Sequence, residues 1–322
     1  MQQVPDIPEY FDLQVNGYKG IDFSADNLTQ ERALFACRQL LKDGTTGFLP
    51  TMITSRPEVF KQNLGILARL IQTDPLGRHI PGIHVEGPFL SPFDGARGAH
   101  NRDWIRKPDR GFLDKLMDWS HGMIRMLTMA AELPGAPELC RHATDLGITV
   151  SLGHQMAGDD DLTRMADAGA TVLTHLGNGI PSEIDRHHNP LWAALANDRL
   201  RATVIADGHH LPRAVLKVII RVKGVARISL VSDASPVAGL PPGEYHTLGN
   251  RAILREDGRL YNPEIGYLVG SSSNIAQCSE YVRKEKLLDE KDLTQAVFNN
   301  PLELIGMAPE EFRKKMQSSA NR

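Results

Sequence analysis

The feature that most constrains the fold is a repeated alternation of short apolar, β-branched runs with longer amphipathic segments. Such an alternation is typical of βα units that build a parallel sheet. The runs predicted as strands are 10–15, 46–50, 80–85, 124–129, 148–152, 171–174, 202–206 and 227–231. Eight successive βα units predict an α/β fold, a closed (β/α)8 or TIM barrel.

The segments between these runs carry the signatures of helices. Residues 28–41 form an apolar stripe followed by Gly44, and Pro57 stands at the start of a second stripe over 57–71. Further helices are predicted over 111–119, 136–146, 160–168, 191–196, 211–222, 275–286 and 292–298. Residues 235–270 are rich in Pro and Gly and predict an insertion with a small hairpin. We expect a single domain over 1–322, with the barrel core at about 10–308.

Charge and composition exclude several classes of protein. The chain has 36 Lys and Arg against 39 Asp and Glu, without a basic run, so we expect neither a nucleic-acid partner nor a membrane partner. No apolar stretch approaches the ~18 residues of a transmembrane helix, and residues 1–10 lack a signal-peptide pattern. We therefore expect a cytoplasmic protein. The 3 Cys are predicted to be buried free thiols, because they are odd in number and far apart.

Polar side chains follow almost every predicted strand. In an eight-stranded βα barrel the active site lies at the carboxyl ends of the strands. The residues at these ends are Gln14, Asn16, Thr51, Glu86, Glu132, His154, His175, Asp207, His209, His210 and Asp233. Helix caps and turns account for one or two polar residues at such places, but rarely for so many that can bind a metal. The sequence therefore predicts a metal-dependent site.

Three of these residues are predicted to form a metal-ligand set. Glu86, His154 and His175 follow the third, fifth and sixth strands. Two imidazoles and one carboxylate leave a coordination position open for water on Zn²⁺ or Fe²⁺, and such a metal lowers the pKa of water to about 7. The same donors accept Co²⁺ or Mn²⁺. His84 precedes Glu86 by two residues, so it faces the same way but deeper, where we expect a buried hydrogen-bonding role.

A carboxylate at the end of the eighth strand supplies the proton chemistry. Asp233 in LVSDA is predicted to take a proton from water and return it to a leaving amine. The alternative for Asp233 is a helix cap or turn residue. The sequence lacks a GxSxG elbow and the nucleotide-binding GxGxxG and Walker patterns, which argues against a serine hydrolase and a nucleotide enzyme.

The sequence also resembles a known family over residues 11 to about 308. The segments that carry the resemblance are FDLQVNG at 11–17, GTTGFLPT at 44–51, HVEGPFL at 84–90, GARGAHN at 95–101, SLGH at 151–154, THLGNGI at 174–180, ADGHH at 206–210, VSDASPVAGLPPGEY at 231–245, VGSSS at 269–273 and NPLELIGM at 300–307. They are similar in kind and order to the N-acetylglucosamine-6-phosphate deacetylases of the amidohydrolase superfamily.

The resemblance implies roles for individual residues. Glu86, His154 and His175 match the metal ligands, Asp233 matches the general acid/base, and His100 matches a histidine near the substrate acyl group. Residues that match substrate contacts are Ala99, Asn178, Gly179, His210 and the segment Leu268, Val269 and Gly270. Arg186 matches a phosphate-binding arginine that the family supplies from a neighbouring subunit, which implies a homodimer.

The resemblance also implies the reaction and its metal. It predicts hydrolysis of the acetamide of N-acetylglucosamine 6-phosphate to glucosamine 6-phosphate and acetate. One divalent metal ion is expected, because Gln14 and Asn16, whose amides are poor ligands, stand where some members place two histidines that bind a second metal. Zn²⁺ is the metal that we expect first.

Three departures from the family leave alternatives open. The family's small β-sandwich is expected to be missing, Gly177 and Gly179 replace larger residues, and 185–190 has one residue more than usual. One alternative is a deacetylase of another N-acyl amino sugar, unphosphorylated or epimeric. The other is a non-catalytic barrel that binds a sugar phosphate.

Overall fold

A computed structural model describes residues 9–264 and 266–317. The predicted strands are all present, and they pair in parallel in chain order. They are β1 (Phe11–Val15), β2 (Gly47–Ile53), β3 (Ile83–Glu86), β4 (Ile124–Met129), β5 (Thr149–Leu152), β6 (Val172–Leu173), β7 (Arg201–Ile205) and β8 (Ile228–Val231). Val15 forms a parallel bridge with Ala234, just beyond β8, and this bridge joins the last strand to the first. The predicted barrel is confirmed.

One helix follows each strand and packs outside the barrel. These helices are α1 (Gln30–Lys42), α2 (Pro57–Thr73), α3 (Arg110–Trp119), α4 (Ala136–Asp145), α5 (Asp159–Asp167), α6 (Pro190–Ala196), α7 (Arg213–Lys223) and α8 (Ile275–Lys284). Polar caps fix several helix starts: Thr29, Asp109 and Asn189 each accept a backbone N–H of the first turn. Every residue of β1, β2 and β8 is buried, as the apolar runs require.

Two strand boundaries differ from the prediction. β2 continues past Pro50 to Ile53, so Thr51 lies inside the strand and not at its end. Its hydroxyl accepts the backbone N–H of Val15 at 3.0 Å. β3 starts only at Ile83, because Pro81 and Gly82 are poor strand formers at the start of the predicted run.

The segments after β8 also differ in detail. The insertion contains a three-stranded antiparallel sheet, one strand more than a hairpin: β9 (Gly243–Thr247), β10 (Asn250–Leu254) and β11 (Leu260–Tyr261). The helix predicted over 292–298 is part of a longer helical run: α9 (Glu290–Thr294), a π-helical turn over Gln295–Asn299 and α10 (Asn300–Leu304). The assignment of the whole chain to one domain stays a prediction, since residues 1–8, 265 and 318–322 lie outside the described residues.

Two further expectations can be compared with the structure. Cys37, Cys140 and Cys278 are buried free thiols, as predicted. Among the described residues, no helix combines the length and the apolar character needed to cross a membrane.

An unpredicted helix, α11 (Pro309–Gln317), packs at the amino ends of β1 and β2, opposite the predicted site. Its Phe312 is 1% exposed and makes edge contacts with Phe11 and Phe298, with ring centroids 5.4 and 6.0 Å apart. We expect Phe312→Ala to lower the free energy of unfolding by about 3–5 kcal/mol, because it leaves a cavity among buried rings. Chemical denaturation measures this change. Phe35→Ala is the matched control, because Phe35 is 46% exposed on α1, and an equal loss in both variants would contradict the packing role.

Candidate active site

Four side chains reach one point at the carboxyl end of the barrel. Glu86 is the last residue of β3, while His154, His175 and Asp233 each lie two residues beyond β5, β6 and β8. The last three have a left-handed backbone, with φ of 51°, 32° and 53°. Non-glycine residues adopt this conformation rarely, and such strained positions cluster at functional sites.

Glu86, His154 and His175 present three metal-binding atoms to one another. Glu86 Oε1 lies 3.1 Å from Nε2 of each histidine, and the two Nε2 atoms are 3.1 Å apart. All three side chains are buried, and their candidate ligand atoms lie within 4.8 Å of one another. The structure therefore contains a possible metal site made by the three predicted ligands.

The surroundings of the two imidazoles fit a bound cation. His154 Nδ1 donates to the carbonyl of Ala96 at 2.8 Å, so its other ring nitrogen, Nε2, is the one that faces Glu86 and His175. Glycines approach the rings closely: a Cβ on Gly98 would lie 3.1 Å from His154 Cε1, and one on Gly179 would lie 3.2 Å from His175 Cε1. Two imidazole nitrogens beside one carboxylate oxygen are, once the imidazoles are neutral, the donor set of a divalent transition metal.

Glu86 and His154 shift each other's pKa values towards the charged forms. Burial alone would raise the pKa of Glu86, but hydrogen bonds with His154 and His175 outweigh burial and hold that pKa well below its usual value. Burial would lower the pKa of His154, and the Glu86 carboxylate raises it instead. Glu86 is therefore ionised, as a metal ligand must be.

Asp233 lies beside this cluster and is held by the side-chain amides of Gln14 and Asn16, two of the predicted strand-end residues. Gln14 Nε2 donates to Asp233 Oδ1 at 2.9 Å and to Glu86 Oε1 at 3.0 Å. Asn16 Nδ2 donates to the same Asp233 oxygen at 2.8 Å. Burial, followed by the nearby Glu86 charge, raises the pKa of Asp233. A carboxylate with a raised pKa is suited to carry a proton in both directions.

His100 lies next to the candidate metal ligands. Its Nε2 lies 3.3 Å from Nε2 of His154 and its Nδ1 lies 2.9 Å from Thr54 Oγ1. Burial, reinforced by the neighbouring His154, lowers the pKa of His100 to about 3, so the ring is neutral. Thr54 was missed from sequence, because β2 was predicted to stop before Ile53 and Thr54 is the first residue after its true end.

A cavity of about 330 Å³ opens above these groups, a size suited to a small molecule. The predicted substrate contacts that line it are Ala99, Asn178, Gly179, His210, Leu268 and Gly270. Val269 lies behind the wall, buried with Ile53 and Leu248 in a small apolar cluster. Among the described residues that line the cavity, none is Lys or Arg.

Other predicted residues lie away from the cavity. Arg186 is exposed, and its carbonyl accepts the Trp192 indole N–H at 3.0 Å; its phosphate-binding role stays a prediction. Glu132 accepts the backbone N–H of Met156 at 2.9 Å, and His209 does not line the cavity. His84 lies deeper in the barrel, where it contacts the Leu13 carbonyl at 3.1 Å and Thr128 Oγ1 at 2.8 Å, as expected for a buried hydrogen-bonding residue.

Comparisons with known proteins agree with this geometry. The N-acetylglucosamine-6-phosphate deacetylase of Danio rerio is 32% identical over 313 residues, which cover 94% of this chain and 75% of that protein. The chain belongs to the N-acetylglucosamine-6-phosphate deacetylase family. A scan against protein-family models finds no match.

Solved structures of family members have the same fold. The N-acetyl-D-glucosamine-6-phosphate deacetylase of Mycobacterium smegmatis superposes with a TM-score of 0.85 at 30% identity, over 94% of this chain and 79% of that one. A mutant of the M. smegmatis enzyme in complex with N-acetyl-D-glucosamine-6-phosphate also gives 0.85, at 28% identity over 94% and 78% of the two chains.

One relative of the deacetylase family differs in name. An N-acetylgalactosamine-6-phosphate deacetylase of Escherichia coli O157:H7 is 28% identical over 306 residues, which cover 94% of this chain and 74% of that protein. The deacetylase barrel is therefore shared by proteins named for epimeric sugars.

Proposed function

We propose that this chain hydrolyses the acetamide of N-acetylglucosamine 6-phosphate to glucosamine 6-phosphate and acetate. The observation that carries the proposal is the position of Asp233, whose buried carboxylate lies beside the Glu86, His154 and His175 donors at the floor of a small-molecule cavity. A relative with the same fold is described in complex with this sugar phosphate.

Each residue of the site has a part in amide hydrolysis. Glu86, His154 and His175 would hold one divalent metal, which supplies Lewis-acid polarisation and water activation when bound. Asp233 takes the proton of the attacking water and delivers it to the departing amine nitrogen. Gln14 and Asn16 orient the Asp233 carboxylate through its Oδ1. His100 is neutral, and it donates a hydrogen bond to the acyl oxygen as negative charge develops there.

The finer features of this proposal follow from the resemblance. We propose Zn²⁺ as the metal, a cytoplasmic location and a homodimer in which Arg186 of one subunit reaches the phosphate in the other. In support of the dimer, the cavity lining contains no Lys or Arg among the described residues, although a phosphate dianion calls for one. Arg186 lies on an exposed loop, where a second subunit can meet it.

Arg186→Ala tests this arrangement. We expect KM for N-acetylglucosamine 6-phosphate to rise on the order of 10- to 100-fold with little change in kcat, because a bidentate charged contact is lost. The rate on unphosphorylated N-acetylglucosamine should stay unchanged. Arg164→Ala is the control, since Arg164 is an exposed arginine paired with Asp161 on α5. If the wild type hydrolyses N-acetylglucosamine and its 6-phosphate at equal rates, the proposal that the phosphorylated sugar is the substrate is wrong.

The epimeric substrate is a second candidate, supported by the relative named for N-acetylgalactosamine 6-phosphate. Initial rates of acetate release on both phosphorylated epimers separate the two. A higher kcat/KM on the galactosamine epimer would replace the proposed substrate, and metal-loaded protein that releases no acetate from any acetylated amino sugar would favour the non-catalytic barrel.

A further inference from the structure

Leu248 stands at the tip of the hairpin formed by β9 and β10, in a backbone conformation that leucine rarely adopts. Thr247 pairs with Asn250, so Leu248 and Gly249 are the two central residues of the turn. Both have a left-handed backbone, with φ of 48° and 74°. A two-residue turn of this kind favours Asn or Asp before Gly, and a bulky residue is strained there. The turn itself therefore gives no reason for leucine at this position.

The Leu248 side chain packs into the wall of the active-site cavity. It is 9% exposed and forms a small apolar cluster with Ile53 and Val269, against which Ala99 packs. Asn250 helps to fix the turn, because its Nδ2 donates to the Leu248 carbonyl at 2.8 Å. A residue that contradicts its local turn geometry is expected where function requires its side chain. The strained backbone thus points to a role for this leucine in the site.

The apolar wall adjoins the groups that the proposed reaction uses. Ile53 is the last residue of β2, and it pairs with Glu86, a candidate metal ligand, on β3. Ile53 also directly precedes Thr54, whose Oγ1 lies 2.9 Å from Nδ1 of His100. The cluster of Ile53 and Leu248 is therefore placed next to the point where the reacting amide would lie.

The chemistry of the amide decides which part of a substrate meets this wall. The reacting carbon carries an oxygen, a nitrogen and an alkyl group. In the proposed mechanism the oxygen lies at His100 and the nitrogen at Asp233, which leaves the alkyl group without a polar partner. An alkyl group is stabilised by apolar surface removed from water. The wall of Ile53 and Leu248 supplies such a surface beside His100.

A second cavity, of about 980 Å³, lies on the other side of this wall. Four residues line both cavities: Ile53, Ala99, His100 and Leu248. Ile53 belongs to the barrel and His100 to the reacting groups, whereas Leu248 comes from the insertion and can change without altering either. Space for a longer chain is therefore present behind the wall, and the Leu248 side chain blocks part of the way to it.

We propose that Leu248 is a specificity-determining residue, which closes the acyl end of the active site and limits the N-acyl group to about the size of acetyl. This inference rests on the proposed function. A longer acyl group would have to displace the leucine, and one methylene too many in an apolar pocket costs about 10- to 200-fold in kcat/KM. Truncation of Leu248 would join the two cavities and admit longer straight-chain acyl groups.

Leu248→Ala tests the proposal with N-acetylglucosamine 6-phosphate and N-butanoylglucosamine 6-phosphate. The substitution removes the branched end of the side chain, and the butanoyl group is longer than acetyl by a comparable length. We expect the wild type to prefer the acetyl substrate on the order of 100-fold in kcat/KM, and Leu248→Ala to reduce this preference by at least about tenfold. An unchanged preference would overturn the proposal.

Leu254→Ala is the matched control. Leu254 is 6% exposed on β10 and belongs to a separate apolar cluster, with Val237, Ala252 and Leu260. It lines neither of the two cavities, so its truncation weakens the same small sheet without opening the wall. The ratio of the two kcat/KM values should stay at the wild-type value. An equal shift in Leu254→Ala and Leu248→Ala would assign the effect to a loosened sheet and overturn the proposal.

Leu248→Asn keeps the proposal testable if Leu248→Ala does not fold. Asn is favoured before Gly in this turn, so the hairpin is retained while the apolar side chain is lost. The acyl preference should fall in the same direction as in Leu248→Ala. Leu248→Met keeps an apolar side chain of similar volume and should retain the wild-type preference. A Leu248→Asn enzyme with the wild-type ratio would contradict the proposal.

Binding of the same two ligands to metal-loaded Asp233→Asn protein, measured by calorimetry, tests the inference without turnover. The acetyl ligand should bind at least about tenfold more tightly, and added Leu248→Ala should bring the two Kd values within about threefold. If Leu248→Ala changes this binding preference but the wild type releases no acetate, the proposed function alone is refuted. Acetate release with an acyl preference that Leu248→Ala leaves unchanged refutes the inference alone, and no binding of either ligand refutes both.

Discussion

Asp233→Asn should lower kcat on N-acetylglucosamine 6-phosphate by about 10²- to 10⁴-fold, the contribution typical of a positioned general acid/base. The amide has the size of the carboxylate, and its oxygen can still accept from Gln14 and Asn16, so the fold and the cavity are retained. It cannot accept and return a proton at this position. The measurement is steady-state acetate release together with metal content by atomic emission.

The metal content shows whether a loss of activity comes from Asp233 itself or from loss of the metal. Since Asp233 is not one of the three proposed ligands, we expect the variant to bind one metal ion per chain, as the wild type does. Asp257→Asn, on the exposed surface, is the control for the substitution itself. A metal-loaded Asp233→Asn enzyme within about threefold of the wild-type rate would refute the role of this residue.

The second large effect is expected from the ligand cluster. His154→Asn should abolish stoichiometric metal binding and reduce activity by more than about 100-fold, since losses of 10- to 100-fold already follow when partners outside the ligand set are removed. His154 Nε2 faces both Glu86 and His175 at 3.1 Å, so the remaining pair lacks its third donor. Titration of the metal-free protein with Zn²⁺, followed by calorimetry, measures the change.

His84→Asn is the matched control for the metal titration. His84 is also a buried barrel histidine, but both its nitrogens are used by Leu13 and Thr128, and burial lowers its pKa to about 4. The variant should lose stability and still bind one metal ion per folded chain. If His84→Asn loses the metal while His154→Asn keeps it, the ligand set is assigned wrongly.

Much of the fold and the centre of the site could be predicted from the sequence for a physical reason. The barrel strands are almost entirely buried, so they stand out as apolar runs, and their carboxyl ends must meet at one face. Glu86, His154, His175 and Asp233 stand at such ends in the sequence, and the structure brings them together.

What the sequence did not reveal depends on contacts between distant segments. Thr54 was missed because Pro50 was taken as the end of β2. The hydrogen bond that the Ser271 hydroxyl donates to the Asp207 carboxylate joins residues 64 positions apart. The orienting role of Gln14 likewise depends on Asp233, 219 positions away. The helix α11 escaped because its polar sequence carries only one buried residue, Phe312.

The left-handed backbone at His154, His175 and Asp233 restricts the residue types that these three positions can accept. Beyond glycine, the residue types that enter this conformation most readily are Asn, Asp and His. Two of these three are also the side chains that ligate metals and carry protons. The backbone conformation of the turns at the strand ends therefore favours residue types that already suit the chemistry. A β-branched replacement would strain the backbone at these positions, whatever its side chain could do.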